Sequence, residues 1–310
     1  MNETEQTPER LPLLTPAPLQ PGDLIAIVSP SGTIKPEFVD SAVDVLQKQG
    51  WRVRVYPHAK GKFRTYAGTP DERYADLSAA LLDPEVKAIL CARGGYGAVH
   101  LLDRLNALPL RENPKWIIGY SDISALHALM TTNGIASIHA PMAKHLATFD
   151  GADDDAQALF DILRGRQFSY SIPPSPLNRC GSVTGQLTGG NLAVIAGLIS
   201  TPFDVIRPGT ILFIEDIAEP IYKTERILHQ LRLSGVLGSL GGLIVGAFTE
   251  YSPDVDGNSM DDMIRSMVAG YSYPVAFGVP VGHVDHNLPM IAGATVTLTV
   301  APDATTIKFH

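Results

Sequence analysis

A single serine stands where an apolar run changes into a helical pattern. In "KWIIGYSDISALHALM", residues 115–130, the apolar segment ends at Gly119 and Ser121 opens a stretch with helical spacing. A hydroxyl between a strand and a helix lies near backbone N–H groups and the positive helix end, which is the layout of a nucleophile elbow. The usual string is GxSxG, whereas here Ile123 replaces the second glycine. The local pattern alone favours a simpler role for Ser121 as a helix N-cap.

A serine nucleophile needs a base, and the base needs a carboxylate that orients it. His283 is the candidate base, because it lies in "VPVGHVDHNLPMIAG", where an apolar strand gives way to a polar loop, and His286 could compete with it. Candidate carboxylates are Glu215 and Asp216, which end the apolar strand of "ILFIEDIAEP". Acidic residues in that position are also typical of solvated strand ends. The sequence therefore supplies the three groups that activated-serine chemistry requires.

A glycine-rich turn could stabilise the negative charge that such chemistry develops. "CARGGYGAV", residues 91–99, ends a predicted strand, and two consecutive glycines allow backbone amides to approach a ligand closely. Such amides suit an oxyanion hole, with Gly95 as the candidate donor. The string also resembles part of a dinucleotide fingerprint, but His100 occupies the position of the third glycine and the turn follows the third strand rather than the first. The oxyanion interpretation is therefore preferred.

The elements that must position these residues alternate regularly in the first half of the chain. The predicted strands are "DLIAIVSPSG", "WRVRVYP", "EVKAILCARGG", "KWIIGY" and "IASIHAPM". Helical patterns separate them: "KPEFVDSAVDVLQKQG", "DERYADLSAALLD", "YGAVHLLDRLN" and "SDISALHALMTTNG". Strands joined by one-helix crossovers predict a parallel sheet with helices on both faces, and binding residues gather at the carboxyl ends of such strands.

The second half is less regular and predicts a separate domain. It contains the strands "TILFIEDI" and "LGGLIVGAF", a long amphipathic helix between them, and a strand-rich end. A polar, Pro-containing stretch separates the halves and reads as a linker. We therefore predict a disordered acidic tail over 1–20, an α/β domain carrying the serine over 21–167, a linker over 168–181 and a β-rich domain carrying the acid and base over 182–310.

Composition excludes several classes of function. The formal net charge is -8 and no basic run is present, which argues against a nucleic-acid partner. The two cysteines, Cys91 and Cys180, show no CxxC pairing, so we expect neither a disulfide framework nor a thiolate metal site, and a reducing cytosol fits. The tail lacks the features of a secretory signal, and no apolar run approaches the ~18 residues that span a bilayer. We expect no cofactor, no metal and no membrane association.

Together these strings identify a family resemblance that extends from Pro21 to the end of the chain. The blocks that carry it, in chain order, are "IAIVSPSG", "ARGGYG", "IIGYSDISALH", "IHAPM", "GGNLAVIAGLIST", "LFIEDIAEPIYKTERILHQL" and "VGHVDHNLPMIAGATVTL". They resemble the LD-carboxypeptidase family of serine peptidases, peptidase family S66. The resemblance implies an N-terminal flavodoxin-like parallel-sheet domain and a C-terminal β-rich α/β domain, with the active site in the cleft between them.

The same resemblance implies roles for individual residues. It makes Ser121 of GYSD the nucleophile, Glu215 of FIED the acid and His283 of GHxxxNLP the base. Backbone amides of the GGYG turn and of the residue after the nucleophile, at about Gly95 and at Asp122, become the expected oxyanion donors. The resemblance thus selects Glu215 over Asp216 and His283 over His286.

A substrate class follows from the resemblance as well. The family removes the terminal D-alanine from L,D-linked murein tetrapeptides during peptidoglycan recycling in the cytoplasm, and its members suggest a homodimer. Such a substrate carries a free carboxylate, so a nearby cation is expected. Arg93 is the candidate for that contact, although shaping the glycine turn or forming a structural salt bridge are alternative roles.

Three other functions remain open at the level of sequence. An immunity peptidase of the same family would cleave a peptidyl or aminoacyl nucleotide amide of the microcin type. It would need an aromatic platform, and the only tryptophans, Trp51 and Trp116, lie in predicted strands. A non-enzymatic sensor of sugars or nucleotides could use the same scaffold. A metal hydrolase could draw on histidines whose spacing matches no helix-borne ligand motif: His139, His145, His283 and His286.

Overall fold

The structure is a computed structural model that describes residues 11–255 and 257–310. It confirms the predicted α/β class with two sheets, one of six strands and one of seven. Residues 1–10, which begin the predicted tail, lie outside the described residues. The described part of that tail packs on the protein, since Leu14 forms a bridge with Ile135 and Leu19 is buried.

Five of the six strands of the N-terminal sheet are parallel. They are β1 (Leu24–Val28), β2 (Arg52–Val55), β3 (Val86–Cys91), β4 (Trp116–Gly119) and β5 (Ser137–His139). Their spatial order is β2-β1-β3-β4-β5, which is the flavodoxin-like order, with the topological switch point between β1 and β3. Strand β1 is buried along its whole length, which explains its uninterrupted apolar sequence.

Helices cover this sheet and connect its strands. They are α1 (Pro36–Lys48), α2 (Pro70–Leu82), α3 (Leu102–Asn106), α4 (Ser124–Thr132), α5 (Ala143–Thr148) and α6 (Asp154–Leu163). Local signals explain several starts: α2 begins with a capping box between Thr69 and Glu72, and the Asp153 side chain caps α6. Two predicted helices begin instead with a 3₁₀ turn, at Ala98–Leu101 before α3 and at Ser121–Ile123 before α4.

The C-terminal half supplies eight strands. They are β6 (Ser169–Ile172), β7 (Gly181–Asn191), β8 (Ile211–Ile217), β9 (Gly242–Thr249), β10 (Val275–Ala276), β11 (Met290–Ala292), β12 (Thr295–Val300) and β13 (Thr305–Phe309). All except β11 form a mixed sheet in the order β10-β9-β8-β7-β12-β13-β6, in which β7 to β10 run parallel. The accompanying helices are α7 (Leu192–Ala196), α8 (Ile221–Leu233), α9 (Val236–Ser239) and α10 (Met260–Met267).

Two strands lie where the sequence did not predict them. Strand β6 falls within the predicted linker over 168–181 and pairs with β13, so this part of the segment is sheet rather than linker. Strand β11 leaves the C-terminal half and pairs antiparallel with β5, with Met290 opposite His139. The chain therefore crosses between the two halves more than once. We keep the predicted domain limits as a proposal, in which β11 belongs by sequence to the C-terminal domain and by pairing to the N-terminal sheet.

A continuous apolar core joins the two halves. One cluster of buried side chains includes Ile117 of β4, Leu126 and Leu129 of α4, Leu192 of α7 and Ile214 of β8. Because these residues come from both sheets, burial of their apolar surface fixes the carboxyl ends of β4 and β8 near each other. Across the described residues, no helix combines the length and the apolar character needed to cross a bilayer.

Replacing a leucine of this shared core should destabilise the whole molecule. Leu129 is 0% exposed, so Leu129→Ala should lower the free energy of unfolding by about 2–5 kcal/mol, because it removes buried methyl groups and leaves a cavity. Leu233→Ala is the matched control, since Leu233 is 79% exposed and the same change should cost less than about 0.5 kcal/mol. Urea unfolding measures both, and equal losses would contradict a core that joins the halves.

Candidate active site

Ser121 adopts a backbone conformation that is uncommon for a residue with a side chain. Strand β4 ends at Gly119, Tyr120 is extended, and Ser121 has a φ of 66° before the 3₁₀ turn begins. Its side chain does not cap the helix, and α4 has no side-chain cap either. The N-cap role that the local pattern favours is therefore absent. A strained strand-to-helix turn is what a nucleophile elbow requires.

The glycine-rich turn after β3 packs directly on this serine. A Cβ atom added at Gly94 would lie 2.7 Å from Ser121 Cβ and 2.9 Å from Ser121 Oγ, so only glycine allows this approach. The next residue, Gly95, has a φ of 109°, which glycine adopts without strain. Within residues 11–255 and 257–310, the Gly95 N–H donates no hydrogen bond. A free amide thus lies in the turn that contacts the Ser121 hydroxyl.

The Asp122 side chain locks the turns around Ser121 together. Its Oδ2 atom accepts hydrogen bonds from the Ser31 hydroxyl at 2.5 Å and from the Ala98 N–H at 2.8 Å. Ser31 follows β1, Ala98 follows the glycine turn, and Asp122 follows the nucleophile candidate, so one buried carboxylate connects three loops at the same sheet edge. Hydrogen bonds to a charged acceptor are the stronger kind, which makes this a rigid support.

Glu215 and His283 meet at the end of β8. The His283 Nδ1 atom lies 2.7 Å from Glu215 Oε2, with the Glu215 side chain 0% exposed and the His283 side chain 15% exposed. With Nδ1–H donating to the carboxylate, the other ring nitrogen of a neutral imidazole is left as a proton acceptor. Burial raises the pKa of the Glu215 carboxyl, but His139 and His283 lower it by more, so its pKa lies below the ordinary value.

The loop that carries His283 is anchored at both ends. Gly282, with a φ of 119°, packs against Glu215, since an added Cβ would lie 2.7 Å from Glu215 Oε2. Its N–H donates to Asn287 Oδ1 at 2.9 Å, and the Asn287 N–H donates in turn to Asp155 Oδ2 at 2.6 Å. Asp155 belongs to α6 of the N-terminal half, so the loop is fastened across the cleft.

The two halves bring the serine turn and the histidine together. The ring of Tyr120, which precedes Ser121, lies edge-on to the His283 ring with centroids 5.0 Å apart. Between the described residues, no hydrogen bond joins the Ser121 hydroxyl to His283. Nucleophile and base are often farther apart before substrate binds, so this geometry is compatible with catalysis.

Asp216, the second candidate carboxylate, faces away from this histidine and has a structural role. Its oxygens accept from Asn191 Nδ2 at 2.8 Å and from the Ala193 N–H at 2.9 Å. The Asn191 N–H donates to the Ser124 hydroxyl of α4 at 2.9 Å. Burial raises the pKa of Asp216. This chain of hydrogen bonds joins the helix after the nucleophile candidate to the C-terminal half.

Arg93 is exposed beside the glycine turn. One guanidinium nitrogen donates to the Thr33 carbonyl at 2.7 Å, which ties the turn to the loop after β1. Its charge also acts on Tyr120, because burial raises the pKa of that phenol and Arg93 partly offsets the rise. Arg93 therefore supports the turn and places a positive charge within electrostatic range of Tyr120, the residue before Ser121.

The histidines of the metal alternative lie in two groups. His145 Nε2 contacts Asp153 at 2.9 Å, and His286 Nδ1 contacts Asp155 at 2.8 Å, all around the first turn of α6. The other two histidines of that alternative both approach Glu215 instead. The structure thus pairs His286 with a carboxylate across the cleft and leaves His283 as the imidazole at the serine turn.

Sequence reasoning missed a buried histidine that supports the nucleophile turn. His127 Nε2 lies 2.7 Å from the Gly119 carbonyl and Nδ1 lies 2.8 Å from the Ser137 hydroxyl. Burial lowers the pKa of His127 to about 3, so the ring is neutral and Nε2–H donates to Gly119. The signal was a histidine inside the apolar string "SALHALM", where a polar residue at a core position needs a buried partner.

Comparison with known proteins agrees with this architecture. A family model described as the LD-carboxypeptidase N-terminal domain matches residues 25–140, and one described as the LD-carboxypeptidase C-terminal domain matches residues 184–298. The probable murein peptide carboxypeptidase of Bacillus subtilis (strain 168) is 31% identical over 302 residues, which cover 94% of this chain and 94% of that protein.

Solved structures share the fold over almost the whole chain. The muramoyltetrapeptide carboxypeptidase from Oxalobacter formigenes has a TM-score of 0.84 at 28% identity, covering 92% of this chain and 98% of that one. MccF in complex with glutamyl sulfamoyl guanosine has a TM-score of 0.83 at 23% identity, covering 96% and 98%. The second likeness shows a common fold alone.

A methyl group at Gly94 should disturb the serine without unfolding the protein. Gly94→Ala places a Cβ within 2.9 Å of Ser121 Oγ, so the hydroxyl must shift and peptidase activity should fall about 10²-fold or more. Gly270→Ala is the matched control, because an added Cβ there meets nothing within 4 Å. Steady-state hydrolysis measures the loss, and thermal unfolding checks the fold. Equal activity in the two variants would show that the Gly94 contact does not matter for catalysis.

Proposed function

The chain belongs to the LD-carboxypeptidase family of serine peptidases, and we propose that it removes the terminal D-alanine from L,D-linked murein tetrapeptides. The observation that carries this proposal is the 2.7 Å contact between His283 Nδ1 and the buried Glu215, next to a strained serine turn. A histidine oriented by a buried carboxylate is the base that an unactivated hydroxyl needs.

In the proposed mechanism, His283 Nε2 takes the Ser121 proton as the hydroxyl attacks the scissile carbonyl. Glu215 keeps the imidazole oriented and stabilises its charged form. The tetrahedral intermediate then collapses, His283 gives the proton to the leaving amine of D-alanine, and an acyl-enzyme remains on Ser121. Water, activated by the same imidazole, releases the shortened peptide and restores the serine.

Two backbone amides are the proposed oxyanion donors. Gly95 offers an N–H without an acceptor among the described residues, in the turn that packs on Ser121. The amide of Asp122 follows the nucleophile candidate, and the hydrogen bonds of the Asp122 side chain hold it in place. Each such donor contributes about 3–4 kcal/mol of transition-state stabilisation in comparable sites.

The substrate class rests on the relatives and on the charge at the site. The relatives described above are named as a probable murein peptide carboxypeptidase and a muramoyltetrapeptide carboxypeptidase, and an L,D-linked tetrapeptide ends in a free carboxylate. Arg93 supplies an exposed cation beside the glycine turn, and we propose that it contacts this carboxylate as well as the Thr33 carbonyl. A role in cytoplasmic peptidoglycan recycling and a homodimeric state are parts of the same proposal, and both come from the family resemblance.

Cleavage of a nucleotide amide is the competing function, and the burial of both tryptophans weighs against it. Trp51 is 4% exposed and packs on Phe160, and Trp116 is 3% exposed and donates to the Ala17 carbonyl. Neither indole can form a platform for a base. If the purified protein hydrolysed an aminoacyl sulfamoyl nucleotide analogue and left the tetrapeptide intact, the nucleotide alternative would replace our proposal.

Removing the proposed nucleophile should abolish hydrolysis. With Ser121→Ala we expect release of D-alanine from the tetrapeptide to fall by about 10⁴-fold or more, because no other hydroxyl is activated, while the fold stays intact. Ser78→Ala, on the exposed face of α2, is the control and should match the parent protein. Quantified D-alanine release gives the result. Full activity in Ser121→Ala would rule out this mechanism.

Removing the proposed carboxylate contact should affect substrate binding more than turnover. Arg93→Ala should raise KM for the tetrapeptide by about 10- to 100-fold, since a hydrogen bond to a charged group contributes about 1.5–3 kcal/mol. Arg93→Lys keeps the charge, and its KM should lie between those of the parent protein and Arg93→Ala. Arg232→Ala, far along α8, controls for loss of a surface cation. An unchanged KM in Arg93→Ala would show that the substrate carboxylate binds elsewhere.

A further inference from the structure

A second histidine lies against the carboxylate that orients His283. His139, in β5, is 0% exposed, and both of its ring nitrogens lack a hydrogen-bond partner among the described residues. Glu215 Oε1 is a third buried atom that has no hydrogen-bond partner within residues 11–255 and 257–310. His139 Nε2 and Glu215 Oε1 are 4.0 Å apart, which is beyond hydrogen-bond length, and neither atom has another partner in the part of the chain that the structure describes.

The surroundings of His139 are largely aromatic and buried, so an imidazole without a hydrogen bond costs free energy there. Its ring packs edge-on to Phe213 with centroids 5.2 Å apart, and lies 5.9 Å from the Tyr120 ring and 6.1 Å from the His127 ring. The titratable groups that face it are therefore Tyr120 from the end of β4, His127 from α4 and Glu215 from β8. His127 is already satisfied by Gly119 and Ser137, which leaves the carboxylate as the acceptor.

We propose that His139 is a positioning residue whose Nε2–H donates to Glu215 Oε1 and holds the carboxylate between two imidazoles. The proposal rests on the proposed function, because it assigns His139 to the support of the Glu215–His283 pair. Closing the gap needs about 1 Å of movement, and the terminal torsion of glutamate is broad enough to provide it by a small rotation. Each carboxylate oxygen then has its own imidazole donor.

This contact would do two things for catalysis. It would prevent rotation of the carboxylate, so that Oε2 stays directed at His283 Nδ1. It would also stabilise a negative charge that burial opposes. A donor on Oε1 favours the free carboxylate more than the carboxylate already paired with a charged imidazole. Loss of the donor should therefore let the Glu215–His283 pair take up a proton at higher pH.

Two amide substitutions separate this role from simple packing. A glutamine at position 139 can place its side-chain N–H₂ where His139 has Nε2, whereas an asparagine can reach only the position of Nδ1. Both side chains are polar and smaller than the imidazole ring. If His139 merely fills space, the two substitutions should therefore impair the protein equally. His139→Leu removes the donor and keeps apolar bulk. His229→Asn, on the exposed part of α8, is the control for histidine loss at the surface.

The expected result is a split between the two amides. With His139→Asn and His139→Leu, kcat for the tetrapeptide should fall about 10- to 100-fold, which is what loss of a hydrogen bond to a charged group gives. The acidic limb of the kcat/KM profile should also move to higher pH. With His139→Gln, kcat should stay within about threefold of the parent protein and the profile should not move. Thermal unfolding shows which variants are folded.

A second readout needs no substrate. We expect the proton between His283 Nδ1 and Glu215 to give a low-field NMR resonance, which should persist in His139→Gln and broaden or shift in His139→Asn. Equal kcat, profiles and resonances in the Gln and Asn variants would overturn the role of His139. A parent protein that does not hydrolyse the tetrapeptide would instead overturn the proposed function, and the resonance would still test His139.

Discussion

A buried carboxylate that keeps its charge is the constraint on which the rest of this structure depends. Glu215 is wholly removed from water, and burial alone would favour its neutral form. The ion persists because an imidazole donates to it, and a second one lies within reach. That dependence works in both directions, since the carboxylate also sets which nitrogen of His283 carries the proton. At a solvated carboxylate, water would compete with His283 for the same oxygens, and the imidazole would be held less firmly.

The position of Ser121 depends on a different interaction, which is close packing between backbone segments. Gly94 allows the turn after β3 to rest on Ser121, and the Asp122 carboxylate fixes that turn to the loops around it. A positive φ at Ser121 is tolerated because these contacts over-determine the turn. The apolar core shared by both sheets then fixes the serine turn against the loop of His283. The strained turn and the packing of the two halves therefore both set the position of Ser121 relative to His283.

The parallel sheet could be predicted from local signals, whereas the choice of Ser121, Glu215 and His283 rested on the family resemblance, because the local pattern favoured an N-cap role for Ser121. Alternating strands and helices gave the parallel sheet, and apolar runs ending in a hydroxyl, a carboxylate or a histidine marked the candidate residues. The parts that were missed depend on pairing between distant segments. Strand β11 joins the N-terminal sheet through Met290 and His139, and Asp155 anchors the loop of Asn287. Nothing within either short string indicates its partner, and the same holds for His139 beside Glu215.

Covalent labelling tests the convergence of serine and histidine most directly. The protein should be incubated with a phosphonofluoridate, which reacts much faster with a hydroxyl that a base activates than with an ordinary one, and the labelled peptide should be identified by mass spectrometry. The account predicts one phosphonylated residue, Ser121, with labelling that is lost when His283 is replaced by alanine. Labelling that fails in the parent protein, occurs at another serine, or survives loss of His283 would contradict it.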